Sequence, residues 1–297
     1  MSDQRHTNDV VVKLKHPWRW ISAALLVLIG GAFVYSLVSS PNINHDIIFK
    51  YLFNGKVIDA AILTVILTIV SMTIGTILAV IFAVMRLSAN PILKAIAVLY
   101  VGFFRGTPLL LQIVFWGYLG IIYPTIQLGI PFTDVVWFSE KTSLVLTSIT
   151  AGIIALSLNE GAYAAEIVRA GILSVDAGQT EAAKSLGMSS GYTLRRIVLP
   201  QAMRVIIPPM GNEFISMLKS TSLLQVVSVM ELYARTSQIS SQNLAQVELL
   251  VVAGFWYLVM TTVLSWPQSY LEKRYGRGFQ PSGSGNRWFG LNRKVSA

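Results

Sequence analysis

From Val57 to Met85 the chain carries a single ionisable residue, Asp59. The run exceeds the roughly 20 residues that a helix needs to cross a bilayer. Comparable apolar runs recur and place six membrane spans at about 18–39, 57–85, 95–122, 143–168, 205–225 and 246–268. A transmembrane β-barrel would instead alternate apolar and polar residues in segments of about ten, and Val57–Met85 shows no such alternation. Only 12% of the residues are charged, about half the share of an ordinary soluble domain. The expected fold is an all-α membrane protein with six transmembrane helices.

The breaks between runs carry the usual punctuation. Pro41, Asn42 and Asn44 end the first span, and Ser88–Pro91 makes the turn after the second. Gly106, Thr107 and Pro108 fall inside the third span and predict a kink or a break there. Residues 123–142, with Pro124, Gly129 and Pro131, read as a loop with a short helix lying at the interface. The run starting at Trp18 is longer than a signal-peptide core and lacks a small-x-small cleavage site, so it counts as a helix.

The net charge of +9 would raise nucleic acid as a partner for a soluble protein. Here topology accounts for it. Lys50, Lys56, Lys141 and Arg235 fall on one side, and Arg105 and Lys219 lie within spans. The other 17 of the 23 Lys and Arg residues fall on the opposite side. The positive-inside rule then puts both termini in the cytoplasm. No cysteine is present, so neither disulfides nor a thiolate metal site arises. His6, His16 and His45 lie in terminal or loop segments and form no metal or catalytic set. Gly55-Lys56 is followed by Val57 and lacks the earlier glycine of a phosphate loop. The chain is therefore not expected to be an enzyme or to hold a cofactor.

Polar groups inside spans are the functional candidates, because each must face the bundle interior or water. Asn159, Tyr163 and Glu166 share one face of the fourth span, with Glu160 about 100° round from Asn159. Asn159 and Glu160 lie deep enough to hydrogen-bond the ammonium of a zwitterion; packing or gating is the plainer reading. Tyr163 and Gln112 complete the substrate-pathway candidates. Glu166 and Arg169, three residues apart, read as a structural ion pair. Arg105 and the Thr107 hydroxyl are expected to satisfy carbonyls freed at the kink. Asn212, Glu213 and Lys219 read as interhelical hydrogen bonds and an ion pair.

Residues 169–204 are too polar to span and too patterned for a slack loop. Ala182, Ala183, Leu186 and then Tyr192, Leu194, Ile197 are spaced as short helical faces, parted by Gly187 and Ser189-Ser190-Gly191. Within this segment, Glu181–Pro200 reads EAAKSLGMSSGYTLRRIVLP. It resembles the EAA motif of ATP-binding-cassette importer permeases at Glu181, Ala182, Ala183, Gly187, Ile197, Leu199 and Pro200. FRGTPLLLQ (Phe104–Gln112), GAYAAEIVRAGI (Gly161–Ile172), LPQA (Leu199–Ala202) and GNEFISMLKSTSL (Gly211–Leu223) resemble the polar amino acid uptake branch, that of the histidine and glutamine permeases.

The resemblance covers about 54–275 as the permease domain, with 169–204 as its coupling segment. It leaves 1–45 as a cytoplasmic N-terminus with an extra helix, and 276–297 as a cytoplasmic tail. It implies a coupling helix seated in a cleft of a separate ATPase, present in two copies and holding ATP and Mg. It also implies a second permease subunit, identical or homologous, an external solute-binding protein, and transport by alternating access. The motif residues fit the role. Small alanines permit close approach, Gly187 permits a turn that a β-carbon resists, and Ser174–Asp176 offer caps. Glu181 is expected in the first helical turn, where the dipole favours a carboxylate. An ion-gradient-driven secondary transporter is the rival reading, but the inverted repeats it calls for are not visible.

Overall fold

In a computed structural model of the protein, residues 17–130, 133 and 135–275 are described. The basic N-terminal segment and the tail beyond Tyr275, both expected in the cytoplasm, lie outside the described residues. Helix α1 (Pro17–Val38) follows the first apolar run, and every described side chain from Trp18 to Ser36 is exposed. A short helix α2 (His45–Leu52) comes next, capped by Asn44, whose side chain accepts from the Asp46 and Ile47 amides. It is pinned to the far end of the chain, because Trp256 Nε1 donates to the Leu52 carbonyl at 2.7 Å. The Asn44 amide likewise donates to Glu248 Oε1 at 2.9 Å.

Helix α3 (Gly55–Leu87) is the longest helix among the described residues. The third predicted span is broken: α4 (Pro91–Gly106) and α5 (Leu109–Gly117) meet at 100°. Pro108 causes the break, since its ring disfavours helix at Thr107 and it offers no amide to the preceding turn. The chain continues through α6 (Leu119–Ile122) into an antiparallel hairpin, β1 (Thr125–Gly129) and β2 (Val136–Lys141), then α7 (Thr142–Val145). The sequence had this segment as a loop with a short helix; the hairpin corrects that reading. Its β-branched and aromatic residues, Thr125, Ile126, Val136, Trp137 and Phe138, suit strands.

Helix α8 (Ser148–Leu173) begins about five residues later than expected, where Thr147 caps the Thr150 amide. Helices α9 (Ala177–Ser185) and α10 (Ser190–Thr193) follow, then a π-helical turn (Leu194–Val198) and α11 (Leu199–Ser220). A 3-10 stretch (Thr221–Val227), α12 (Leu232–Asn243) and α13 (Gln246–Tyr275) complete the described fold. The π turn directly precedes Pro200, whose missing amide removes one α-helical bond and lets the turn widen.

By length and hydropathy α1, α3 and α13 can each cross a membrane, and α4 with α5 forms a fourth candidate if joined. At about 1.5 Å per residue α8 is also long enough, but its polar residues turn inward. The most extensive helix contact is between α3 and α8, and small residues make it. Ala151, Ala155, Ala162, Ala164 and Ala165 of α8 are fully buried, as are Ala79 and Ala83 of α3. Gly75 and Gly161 sit in the same seam. A β-carbon at Gly75 would come within 2.8 Å of Glu160 Cγ, and one at Gly161 within 2.8 Å of Leu78 Cβ.

Candidate substrate cavity and coupling segment

The break between α4 and α5 frees carbonyls inside the bundle, and such groups need partners there. They find them in two amides. Gln112 Nε2 donates to the Phe104 carbonyl at 2.9 Å and to the Thr107 carbonyl at 3.1 Å. Asn159 Nδ2, from α8, donates to the same Phe104 carbonyl at 3.0 Å and to Gln112 Oε1 at 3.2 Å. Thr107 Oγ1 donates to the Phe103 carbonyl at 2.8 Å. The expected hydroxyl is thus in place, but the guanidinium is not. Arg105 instead lies over the Tyr163 ring, 5.1 Å from its centroid, where the aromatic face attracts a cation.

Arg105 thereby borders an open cavity of about 510 Å³ lined by the α4–α5 break, α8 and α11. Its charged lining is Arg105, Glu160 and Glu213, with Asn159, Tyr163, Ser216 and Ser220 among the polar neighbours. Glu160 is 5% exposed, and its Oε1 has no hydrogen-bond partner among the described residues. Tyr100 closes the wall behind it, stacked on Phe82 at 3.6 Å and donating to the Leu158 carbonyl at 2.7 Å. Glu213 does not pair with Lys219 among the described residues. Six residues on one helix place the two side chains about 120° apart, so Glu213 faces the cavity while Lys219 is exposed. Asn212 does make an interhelical bond, accepting from Gln268 Nε2 at 2.6 Å.

Glu166 lies six residues, about one and two-thirds turns, beyond Glu160 on α8. It pairs with Arg169 at 2.9 Å, as its spacing predicts, and also with Arg86 from the end of α3. The second partner, eighty residues away, is beyond local pattern reading. Sequence reading also missed Glu231, which is fully buried. Its Oε1 caps α12 by accepting from the Ala234 amide at 2.8 Å, and its Oε2 accepts from the Tyr257 hydroxyl at 2.7 Å. Thr64 of α3 completes the set by accepting from the Leu232 amide at 3.1 Å.

In the 169–204 segment, Asp176 caps α9 by accepting from the Gly178 amide at 2.7 Å. The helix therefore starts at Ala177, and Glu181 falls in its second turn. The expected first-turn placement of Glu181 is corrected, and with it the dipole argument. Ala183 is buried, whereas Glu181, Ala182 and Leu186 are exposed. The helix ends in a Schellman motif: the Gly187 amide donates to the Lys184 carbonyl and the Met188 amide to the Ala183 carbonyl. Gly187 has φ +74°, with open space where a β-carbon would stand. Ile197 belongs to the π turn, and Leu199 and Pro200 open α11.

Residues 73–277 match the family described as the binding-protein-dependent transport system inner membrane component. The arginine transport system permease protein of Corynebacterium glutamicum is 46% identical over 89% of this chain and 82% of its own length. The L-cystine transport system permease protein of Bacillus subtilis is 40% identical over 72% of this chain and 84% of its own. Among solved structures, an amino acid ABC transporter crystallised with histidines is similar at 35% identity and a TM-score of 0.62. That similarity covers 74% of this chain and 94% of the other. The MetNI methionine ABC transporter, at 16% identity and a TM-score of 0.55, shares the fold. With the EAA pattern intact and the family match spanning most of the sequence, this chain belongs to the inner membrane components of binding-protein-dependent transport systems.

Proposed function

We propose that the chain is the permease subunit of an ATP-binding-cassette importer and carries an amino acid with a cationic side chain. The carrying observation is the cavity, where one guanidinium and two carboxylates face about 510 Å³. That volume lies within the range of about 300–1,000 Å³ usual for small-molecule sites. Arg105 suits an α-carboxylate, Glu160 an ammonium, and Glu213 a cationic side chain. The net charge of the lining complements that of such a substrate. The relatives named for arginine and crystallised with histidines support the same class. Asn159 and Gln112 hold the broken helix open beside the cavity, and Tyr163 carries Arg105.

In this reading the chain spans the inner membrane six times, with α1 outside the permease domain of 54–275 and both termini in the cytoplasm. Helix α9 is the coupling helix. Two permease subunits, identical or homologous, sit on two ATPase subunits that bind ATP and Mg, and an external binding protein delivers the substrate. ATPase closure pushes α9, and the helices around the cavity switch access from one side to the other.

Two measurements test this. In proteoliposomes holding the whole transporter, Glu160→Gln or Glu213→Gln should lower arginine uptake about tenfold or more, the worth of one charged hydrogen bond. Glutamine uptake should fall less, whereas Arg105→Ala should lower both. Equal uptake of both substrates by all three variants would remove the cavity from the transport path. For orientation, a cysteine placed at Ser190 should resist impermeant maleimide added to sealed cells. External labelling there would sink the topology, and the chain has no cysteine of its own to confuse the result.

A further inference from the structure

Outside the spans, the β1–β2 hairpin carries exposed apolar side chains that the transport reading leaves unused, among them Leu128, Trp137 and Phe138. Residues opposite each other in a ladder share a face. Gln127 pairs with Ser139 and Thr125 with Lys141, whereas Leu128 pairs with Phe138 and Ile126 with Glu140. One face is therefore polar, and Gln127 Nε2 donates to Ser139 Oγ across it at 3.3 Å. The other face is apolar except for Glu140 at its root. A register shift between Leu128 and Gly129 leaves Trp137 outside the ladder pairing, and its side chain is 71% exposed. An isolated two-stranded hairpin is marginal in water, and no described element covers this one.

Three observations say what does. The root of the hairpin is fixed to the ends of two helices: the Thr142 amide donates to the Pro124 carbonyl at 2.9 Å and its hydroxyl to the Tyr123 carbonyl. Next, Leu111, Phe115, Tyr118 and Ile122 form an exposed stripe at helical spacing along α5 and α6, each more than half exposed. Leu111 and Phe115 belong to a candidate membrane crossing, and Tyr118 and Ile122 carry the stripe on from its end to the hairpin. Finally, Tyr118, Tyr123, Trp137 and Phe138 with Lys141 are the residue types that gather where acyl chains meet headgroups. A protein partner would leave the stripe and the hairpin face serving two different media.

We propose that the β1–β2 hairpin lies flat on the lipid surface, with Leu128, Phe138 and Trp137 entering the headgroup–acyl boundary and Gln127 and Ser139 facing water. Glu140 then sits at headgroup depth, where it stays hydrated. Which leaflet is occupied follows from the orientation proposed above, but the lipid contact itself does not depend on it. The hairpin ties the outer ends of the α5–α6 arm and α8 to the plane of the membrane.

The test uses the full transporter in vesicles of phosphatidylethanolamine and phosphatidylglycerol, carrying a single bimane-labelled cysteine at Leu128 or at Gln127. The Leu128 label should emit at shorter wavelength, be quenched by a phospholipid with a shallow acyl nitroxide, and be shielded from iodide by at least about threefold relative to Gln127. The Gln127 label should be quenched by iodide. Equal iodide quenching at both positions would overturn the proposal. So would shielding of Leu128 that appears only when the solute-binding protein is added, because the face would then dock that protein. Shielding that persists in detergent at high protein concentration and vanishes on dilution would instead assign the face to a second copy. Both failures leave the cavity reading intact, since that rests on uptake.

Discussion

Replacing Gly187 by Val should reduce ATP-driven uptake to background while the permease still reaches the membrane at normal levels. Gly187 closes α9 with φ +74°, a left-handed conformation that costs a residue with a β-carbon roughly 1–2 kcal/mol and a β-branched one more. The backbone would relax by releasing the Gly187 and Met188 amides from the Schellman motif, and the orientation of α9 would go with them. No described atom lies within 4 Å of the added β-carbon, so inside this chain the effect is conformational. Asparagine tolerates the left-handed region, and Gly187→Asn separates two causes. It should restore much of the uptake if the turn is what matters, and fail like Val if the ATPase cleft excludes any side chain. Substrate-stimulated ATP hydrolysis and co-purification of the ATPase give the readout. Full stimulation in the Val variant would show that α9 is not the coupling element.

A loss of stability rather than of coupling is expected at Glu231. Glu231→Leu removes the cap of α12 and strands the Tyr257 hydroxyl, which now donates to the carboxylate at 2.7 Å. Losing a cap costs about 1 kcal/mol, and a stranded buried hydroxyl about 1–3 kcal/mol. The thermal midpoint of the purified protein should fall clearly, and Glu231→Gln, which keeps the shape and one acceptor, should recover most of it. An unchanged midpoint in the Leu variant would mean that α12 is held by packing alone.

The spans were legible where the medium dictates them. Runs such as Val57–Met85 have no other home than a bilayer, and α3 and α13 follow their runs within a few residues. The bounds of α9 were legible because Gly187 and Asp176 have local reasons to be where they are. Three-dimensional partnerships were not legible. Nothing in the spacing says that Asn159 will reach across to Phe104 and thereby leave Arg105 for the cavity. Position alone left Asn159 between a ligand and a packing residue and made Arg105 look like a brace; the bend at Pro108 brings the Asn159 and Gln112 amides to the freed carbonyls. Glu231 escaped notice because it lies between two apolar runs in a stretch rich in Ser, Thr and Gln. The hairpin escaped because Pro124 and Gly129 signal a turn equally well in a loop or between strands.

The alanine and glycine seam between α3 and α8 sets what kind of motion the bundle can make. Interlocked large side chains must unlock before two helices can shift, whereas a seam of low relief can slide along its axis. A slide of about 1.5 Å advances α8 by one residue without breaking any hydrogen bond inside either helix. Helix α8 is continuous from Glu160 to Leu173, and Ser174–Asp176 join it to α9, so in the proposed transport cycle a push on α9 would reach the cavity through that one turn. Glu166, paired with both Arg86 of α3 and Arg169 of its own helix, ties the two sides of that seam together.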